Sequence, residues 1–126
     1  MAVAALIVAI VDDDDGLRRA LSSLLRAEGM AVRAFESAEA FLAASAMEMP
    51  DAVLTDIQMP GMSGLDLQDR LSRLHPGLPV LVMTALPDRP LRERALSSGA
   101  VTVLDKPIDA DLLLARLQGL ANRGED

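Results

Sequence analysis

Five short apolar runs separated by stretches of helical periodicity constrain this chain more than any other feature. Leu6 to Val11 is a continuous β-rich run with no polar interruption, which suits a strand covered on both faces. Ala52 to Leu54 and Val80 to Met83 repeat the pattern, and Ala31 to Phe35 and Ala100 to Leu104 read as short strands with one polar residue each, Arg33 and Thr102. Between them apolar residues recur at helical spacing: Leu17, Ala20, Leu21, Leu24 and Leu25; Ala38, Phe41 and Leu42; Leu65, Leu67, Leu71 and Leu74; and Leu112, Leu113, Leu117 and Leu120. Leu91 to Ser98 reads as a shorter helix, placed after a loop bracketed by Pro87 and Pro90. Ser37 and Asp109 stand where helix N-caps are expected, and Gly29 and Gly99 where helices stop. Such alternation predicts an α/β fold: a doubly wound, flavodoxin-like (βα)5 domain around a parallel five-stranded sheet. Of the two common strand orders, 2-1-3-4-5 sets strands one and three side by side at the centre.

That order gives the strand ends a meaning, because open α/β sheets gather their sites outside the carboxyl ends of the strands. Asp12 and Asp13 follow strand one, Asp56 ends strand three, Thr84 ends strand four, and Lys106 follows strand five. The three acids are expected to converge on one crevice, with Thr84 and Lys106 flanking it. An unpaired carboxylate at a buried strand end is costly, so Asp56 requires a cation or donors nearby. Pro60-Gly61 forces a turn directly after it.

Composition narrows the function. The 12 basic and 19 acidic side chains leave a net charge of −7, which disfavours a nucleic-acid surface on this chain. There is no cysteine, hence no disulfide framework or thiolate metal site. The apolar N-terminal run is too short to span a bilayer and lacks a basic leader, so Met1 to Val11 is expected to end in a buried strand of a cytoplasmic protein with no membrane partner. With two Phe and no Tyr or Trp, the core is aliphatic, and the Met residues fill it.

Val11-Asp12-Asp13, Asp56 with Met59-Pro60-Gly61 and Gly64, Thr84-Ala85, and Lys106-Pro107 together resemble the receiver domain of two-component response regulators. The stretch Phe35 to Leu42 looks like the FixJ-type subgroup of nitrogen-fixation regulators. The resemblance spans essentially the whole chain and implies a receiver domain over residues 1–122, with 123–126 a tail or the start of a linker. It implies a phosphorelay switch that accepts a phosphoryl group from a phosphohistidine of a sensor histidine kinase or phosphotransfer protein. Asp56 would be the phosphoacceptor; Asp12, Asp13, Asp56 and the backbone carbonyl of Gln58 would hold Mg²⁺ or Mn²⁺; Lys106 and Thr84 would serve the phosphoryl oxygens. Such a domain catalyses only its own phosphorylation and dephosphorylation. A DNA-binding output domain beyond the chain is expected for the subgroup, and a cis Lys106–Pro107 bond for the family.

Competing readings turn on particular residues. Asp14 and Asp15 are ordinary helix-start acids, and the register Asp13 to Gly16 fails as a calcium loop because Ser22 falls at its twelfth position. His75 is a helix-end surface residue. A haloacid-dehalogenase-type phosphatase also uses an Asp nucleophile, Mg²⁺ and a lysine, but wants a second Asp where Gln58 stands. A flavin-phosphate module would not place four aspartates after strand one. A non-phosphorylated pseudo-receiver would not keep the whole set. Val103 occupies a position where receivers commonly carry Tyr or Phe, Ile108 replaces a frequent Phe, and Pro87 and Pro90 restrict their loop. Switching is therefore expected to rely on repositioning of residues 85 to 98. Leu114 lies either on an exposed homodimer face shared with the fourth helix and fifth strand, or in a broad core-facing stripe.

Overall fold

A computed structural model describes residues 6–45 and 48–124. Of the expected first strand, residues 1–5 lie outside the described part, as do residues 125 and 126 of the tail. Five parallel strands, β1 (Ile7–Val11), β2 (Ala31–Phe35), β3 (Ala52–Asp56), β4 (Val80–Thr84) and β5 (Thr102–Asp105), are ordered β2-β1-β3-β4-β5. They alternate with α1 (Asp15–Ala27), α2 (Ala38–Ser45), α3 (Gly64–Leu74), α4 (Arg89–Ser97) and α5 (Ala110–Gly124). The expected fold class and strand order are both found.

The pleat divides the core in two, because successive strand residues point to opposite faces. Ala9, Val11, Val53, Val80, Val82 and Val103 pack on one face, with Phe41 from α2, Leu67 and Leu71 from α3 and Ala95 from α4. Val8, Ile10, Leu54, Leu81, Met83 and Leu104 pack on the other, with Leu21 and Leu25 from α1 and Leu113 and Leu117 from α5. β3 and β4 are buried throughout, and that is why their sequences are continuous apolar runs.

Side-chain caps start the helices. Ser37 Oγ accepts from Ala40 N at 3.0 Å and Asp109 Oδ1 from Leu112 N at 3.1 Å, both as expected. Asp14 caps α1 through Leu17 N at 3.0 Å, and Asp15 lies in its first turn. Most boundaries fall within a residue or two of the sequence reading, and two of the differences have a visible cause. Helix α4 begins at Arg89 instead of Leu91, with Asp88 as its cap, because Pro90 sits in the first turn where no backbone N–H is required. Strand β5 begins at Thr102, since the Ala100 amide closes the end of α4 on the Ala95 carbonyl.

Candidate functional site

Strand register builds the site. Val11 pairs with Thr55, so the residues that follow them, Asp12 and Asp56, leave the sheet side by side. Asp56 pairs with Met83 and Thr84 with Asp105, which brings Thr84 and Lys106 to the same edge. Oxygens of Asp12, Asp13 and Asp56 all lie within 4.8 Å of one another. Lys106 Nζ donates to Asp12 Oδ2 at 3.0 Å and stands 3.4 Å from Asp56 Oδ2. The peptide bond between Lys106 and Pro107 is cis, as expected.

Burial sets the electrostatics. Asp12 is fully buried and Asp56 is 5% exposed, whereas Asp13 faces solvent. Desolvation pushes the Asp56 carboxyl above the ordinary aspartate value; the Asp12 and Asp13 charges push the same way, and the Lys106 ammonium opposes them. Burial alone would lower Lys106, but its hydrogen bond to Asp12 and the Asp56 and Asp12 charges outweigh that and raise it. Three carboxylates around one ammonium leave a local excess of negative charge. At the observed spacing two such carboxylates repel by about 3 kcal/mol at an effective dielectric constant of about 20. Hard oxygen donors that close together, short of positive charge, fit a divalent cation such as Mg²⁺.

The surrounding backbone is held from several sides. Arg18 Nη1 on α1 donates to the Asp12 carbonyl at 2.7 Å and also pairs with Asp15, while Asp12 Oδ1 accepts from Asp14 N at 2.9 Å. Behind Asp56 the chain turns so tightly that Gly64 N reaches the Ile57 carbonyl at 2.9 Å. A Cβ on Gly64 would overlap the Asp56 carbonyl oxygen, so only glycine fits there. Gly61 takes φ +77°, and Glu39 Oε2 from α2 accepts from the next amide, Met62 N, at 3.0 Å. That hydrogen bond holds the exposed Glu39 carboxyl below its ordinary value.

Thr84 is 3% exposed and flanks the acidic group without bonding to it. Its hydroxyl accepts from Leu86 N at 3.0 Å and makes longer contacts, 3.4 Å each, to the Leu86 carbonyl and Gln58 Oε1. The Gln58 side chain thus reaches Thr84. His75 ends α3 as an exposed residue. Leu114 is partly buried against the core, so the core-facing stripe is the arrangement found, and Leu112 is the exposed leucine of α5.

Sequence reading brought together Asp12, Asp13, Asp56 and Lys106 and missed Arg18, Glu39 and Gln68. Gln68 is a buried amide on α3 that reaches the Ala95 carbonyl of α4 at 2.9 Å. Its one sequence signal is a polar residue beside Leu67 and Leu71, within the apolar stripe of that helix.

Residues 8–118 match the family model described as the response regulator receiver domain. The chain is 41% identical over 112 residues to the DNA-binding transcriptional regulator NtrC of Salmonella typhimurium, covering 89% of this chain and 24% of that protein. It is 37% identical over 119 residues to the transcriptional regulatory protein FixJ of Azorhizobium caulinodans, covering 94% and 56% respectively. It therefore spans only a quarter to about half of the length of these relatives. Among solved structures, FixJ-N superposes with a TM-score of 0.83 at 33% identity, covering 93% of this chain and 94% of that one. A CheY-like receiver domain protein from Methanospirillum hungatei JF-1 gives 0.90 at 26% identity, covering 97% and 98%. The strand-end acids, the lysine facing them and these matches lead to one conclusion: the chain belongs to the response regulator receiver domain family, the receiving module of two-component phosphorelay signalling.

Proposed function

We propose that Asp56 is the phosphoacceptor of this receiver. The observation that carries the reading is the meeting of Asp56 Oδ2 with Lys106 Nζ, 3.4 Å apart, inside the Asp12, Asp13 and Asp56 group. A carboxylate attacking a phosphoryl group sets negative charge against negative charge, so neutralisation and alignment supply most of the catalysis. An Asp56 oxygen attacks phosphorus, the phosphorus–nitrogen bond of a donor phosphohistidine breaks, and the imidazole leaves with the electron pair. The product is an aspartyl phosphate on residue 56. Lys106 offers a compact positive charge to a phosphoryl oxygen. Thr84 gives up its long contacts to Leu86 and Gln58 and donates to another.

Asp12, Asp13 and Asp56 are the side chains that would hold Mg²⁺ or Mn²⁺, with the Gln58 carbonyl and retained waters completing the shell. The ion, when bound, supplies the charge that Lys106 alone cannot. Catalysis is confined to the domain's own phosphorylation and dephosphorylation. The Gln58 amide, in contact with Thr84, supplies no acid for the phosphatase alternative.

The partner that supplies the phosphoryl group is a histidine kinase or phosphotransfer protein. The matched relatives are longer proteins, one of them named as DNA-binding, and this supports an output domain beyond a receiver unit spanning residues 1–122 in the whole protein. Leu96 on α4, Val101 before β5 and Leu112 on α5 are each exposed, and the α4-β5-α5 face is the surface proposed for a homodimer. No described helix is long and apolar enough to cross a membrane. The test is labelling by a small acyl phosphate: we expect incorporation that depends on Mg²⁺ and disappears in Asp56→Asn. Turnover of phosphomonoesters without stable labelling would replace this reading with a phosphatase.

A further inference from the structure

We infer that Gln68 is a positioning residue that latches α4 in place and so sets how readily the Asp56 site accepts its charge. This rests on the receiver reading above. Gln68 is 2% exposed on α3, among leucines of the core. Its Nε2 donates to the Ala95 carbonyl at 2.9 Å, and that carbonyl also accepts from Ala100 N at 3.0 Å. The other half of the amide is stranded, because Oε1 is buried with no hydrogen-bond partner among the described residues. Flipping the amide would turn Oε1 against the Ala95 carbonyl, so the orientation is fixed by its one bond. A buried acceptor left unpaired is an uncommon feature that raises the free energy of the arrangement containing it.

Helix α4 is otherwise held lightly. Ala95 is its one buried residue, and Leu91 is partly buried against the core. The flanks are surface ion pairs: Arg94 stands 3.8 Å from Asp66 and 3.5 Å from Asp69, and Arg92 pairs with Asp105. Exposed pairs of this kind contribute little. Between α4 and the turn after Asp56 lies a cleft of about 520 Å³, lined by Gln58, Met59, Pro60, Leu65, Leu91 and Arg94. Gln58 on that wall contacts Thr84. The helix therefore has one fully buried polar tie, made by an amide only half satisfied, beside a longer, part-buried contact from Arg92 Nη1 to the Val103 carbonyl at 3.4 Å, and open space toward the turn after Asp56. Breaking the tie frees α4 to move toward the cleft, and any group on Asp56 that draws Thr84 away from Leu86 and Gln58 is favoured by the same freedom. The latch and site occupancy oppose each other, and by linkage each weakens the other equally.

The experiment compares the full chain as wild type, Gln68→Met and Gln68→Leu by amide hydrogen exchange, then titrates each with beryllofluoride in Mg²⁺. Without ligand, exchange across residues 89–97 should rise 3- to 10-fold in the variants, the range one buried hydrogen bond supplies, while β1 and β3 stay protected. Beryllofluoride affinity should increase by a similar factor, a readout that a merely structural role would not improve. Asp66→Asn combined with Asp69→Asn, which removes the exposed pairs of Arg94 and leaves the cleft wall in place, should change either quantity less than 2-fold. Unchanged α4 exchange, exchange that rises uniformly over the sheet, or affinity that stays level or falls would overturn the latch. If beryllofluoride leaves the Ala85 and Lys106 amides of the wild type unshifted, the receiver reading of Asp56 fails instead, and ligand-free exchange still decides whether Gln68 holds α4. Gln68→Leu keeps the test open should the Met variant fold poorly.

Discussion

The Lys106 ammonium donates to Asp12 Oδ2 at 3.0 Å, joining the loop after the last strand to the loop after the first across 94 residues of sequence. Asp12 is fully buried, so this bond offsets a carboxylate charge removed from bulk water. Removing one partner of a buried pair leaves the other uncompensated, which is costlier than removing both. Lys106→Ala should therefore destabilise the domain by about 3 kcal/mol, and Lys106→Ala combined with Asp12→Asn by clearly less. Urea unfolding of the two variants checks it; a double variant destabilised as much as Lys106→Ala, or more, would contradict it. Because Lys106 is raised, its contribution is fully present below the unfolded lysine value and is lost as pH climbs through the folded one.

Asp56 has the opposite effect on stability. Its carboxyl is raised chiefly by burial, so ionisation at neutral pH costs folding free energy. Asp56→Asn should stabilise the metal-free protein at pH 7 by about 1 kcal/mol, a shift of about 4 °C in melting temperature. The advantage should shrink as pH falls through the folded value toward the ordinary aspartate value, where both states hold the proton. Melting curves at several pH values measure this; a destabilised Asn variant at pH 7 would contradict it.

A divalent cation should reverse that ranking. A ligand that binds only the folded state at ten times its dissociation constant adds about 1.4 kcal/mol of stability. Mg²⁺ should raise the melting temperature of the wild type and leave Asp13→Asn and Asp56→Asn nearly unmoved. An equal rise in all three would place the ion elsewhere.

Gly64→Ala should be among the most damaging small substitutions. The added methyl meets the backbone of Asp56, which cannot swing away as a side chain can. We expect about 2 to 3 kcal/mol of destabilisation and reduced phosphoryl acceptance even where the variant remains folded. Calorimetry with labelling of the folded fraction separates the two effects.

Glu39 should act on the same turn in a pH-dependent way. Its lowered carboxyl stabilises the Met62 amide above the unfolded glutamate value, and the contribution is lost as pH falls through the folded one. Met62 exchange should be faster in Glu39→Ala than in the wild type at neutral pH, with the gap closing in acid. A gap independent of pH would mean that the carboxylate charge plays no part.

Strand ends were the most legible part of this chain. Asp12, Asp13, Asp56 and Lys106 each follow an apolar run, and a parallel sheet in the order 2-1-3-4-5 carries such positions to one edge whatever the side chains. Contacts between helices follow no comparable rule. Gln68 reaches Ala95, and Glu39 reaches Met62, through the relative placement of separate elements, which periodicity within one helix does not encode. Pro90 was misplaced because a proline ends a helix or opens one, and only the Asp88 cap decides between them. Leu112 and Leu114 lie two positions apart, so on a helix they point to different sides; four leucines in the opening turns left open which of them faced out.

The central claim is that the phosphoryl group resides on the carboxylate of residue 56. Borohydride reduction of the acyl-phosphate-labelled protein, followed by peptide sequencing in a mass spectrometer, reads the acceptor directly. The account predicts homoserine at position 56, in an amount that falls when Mg²⁺ is withheld. An unreduced Asp56 with the label recovered on His75, Thr84 or another side chain would contradict it.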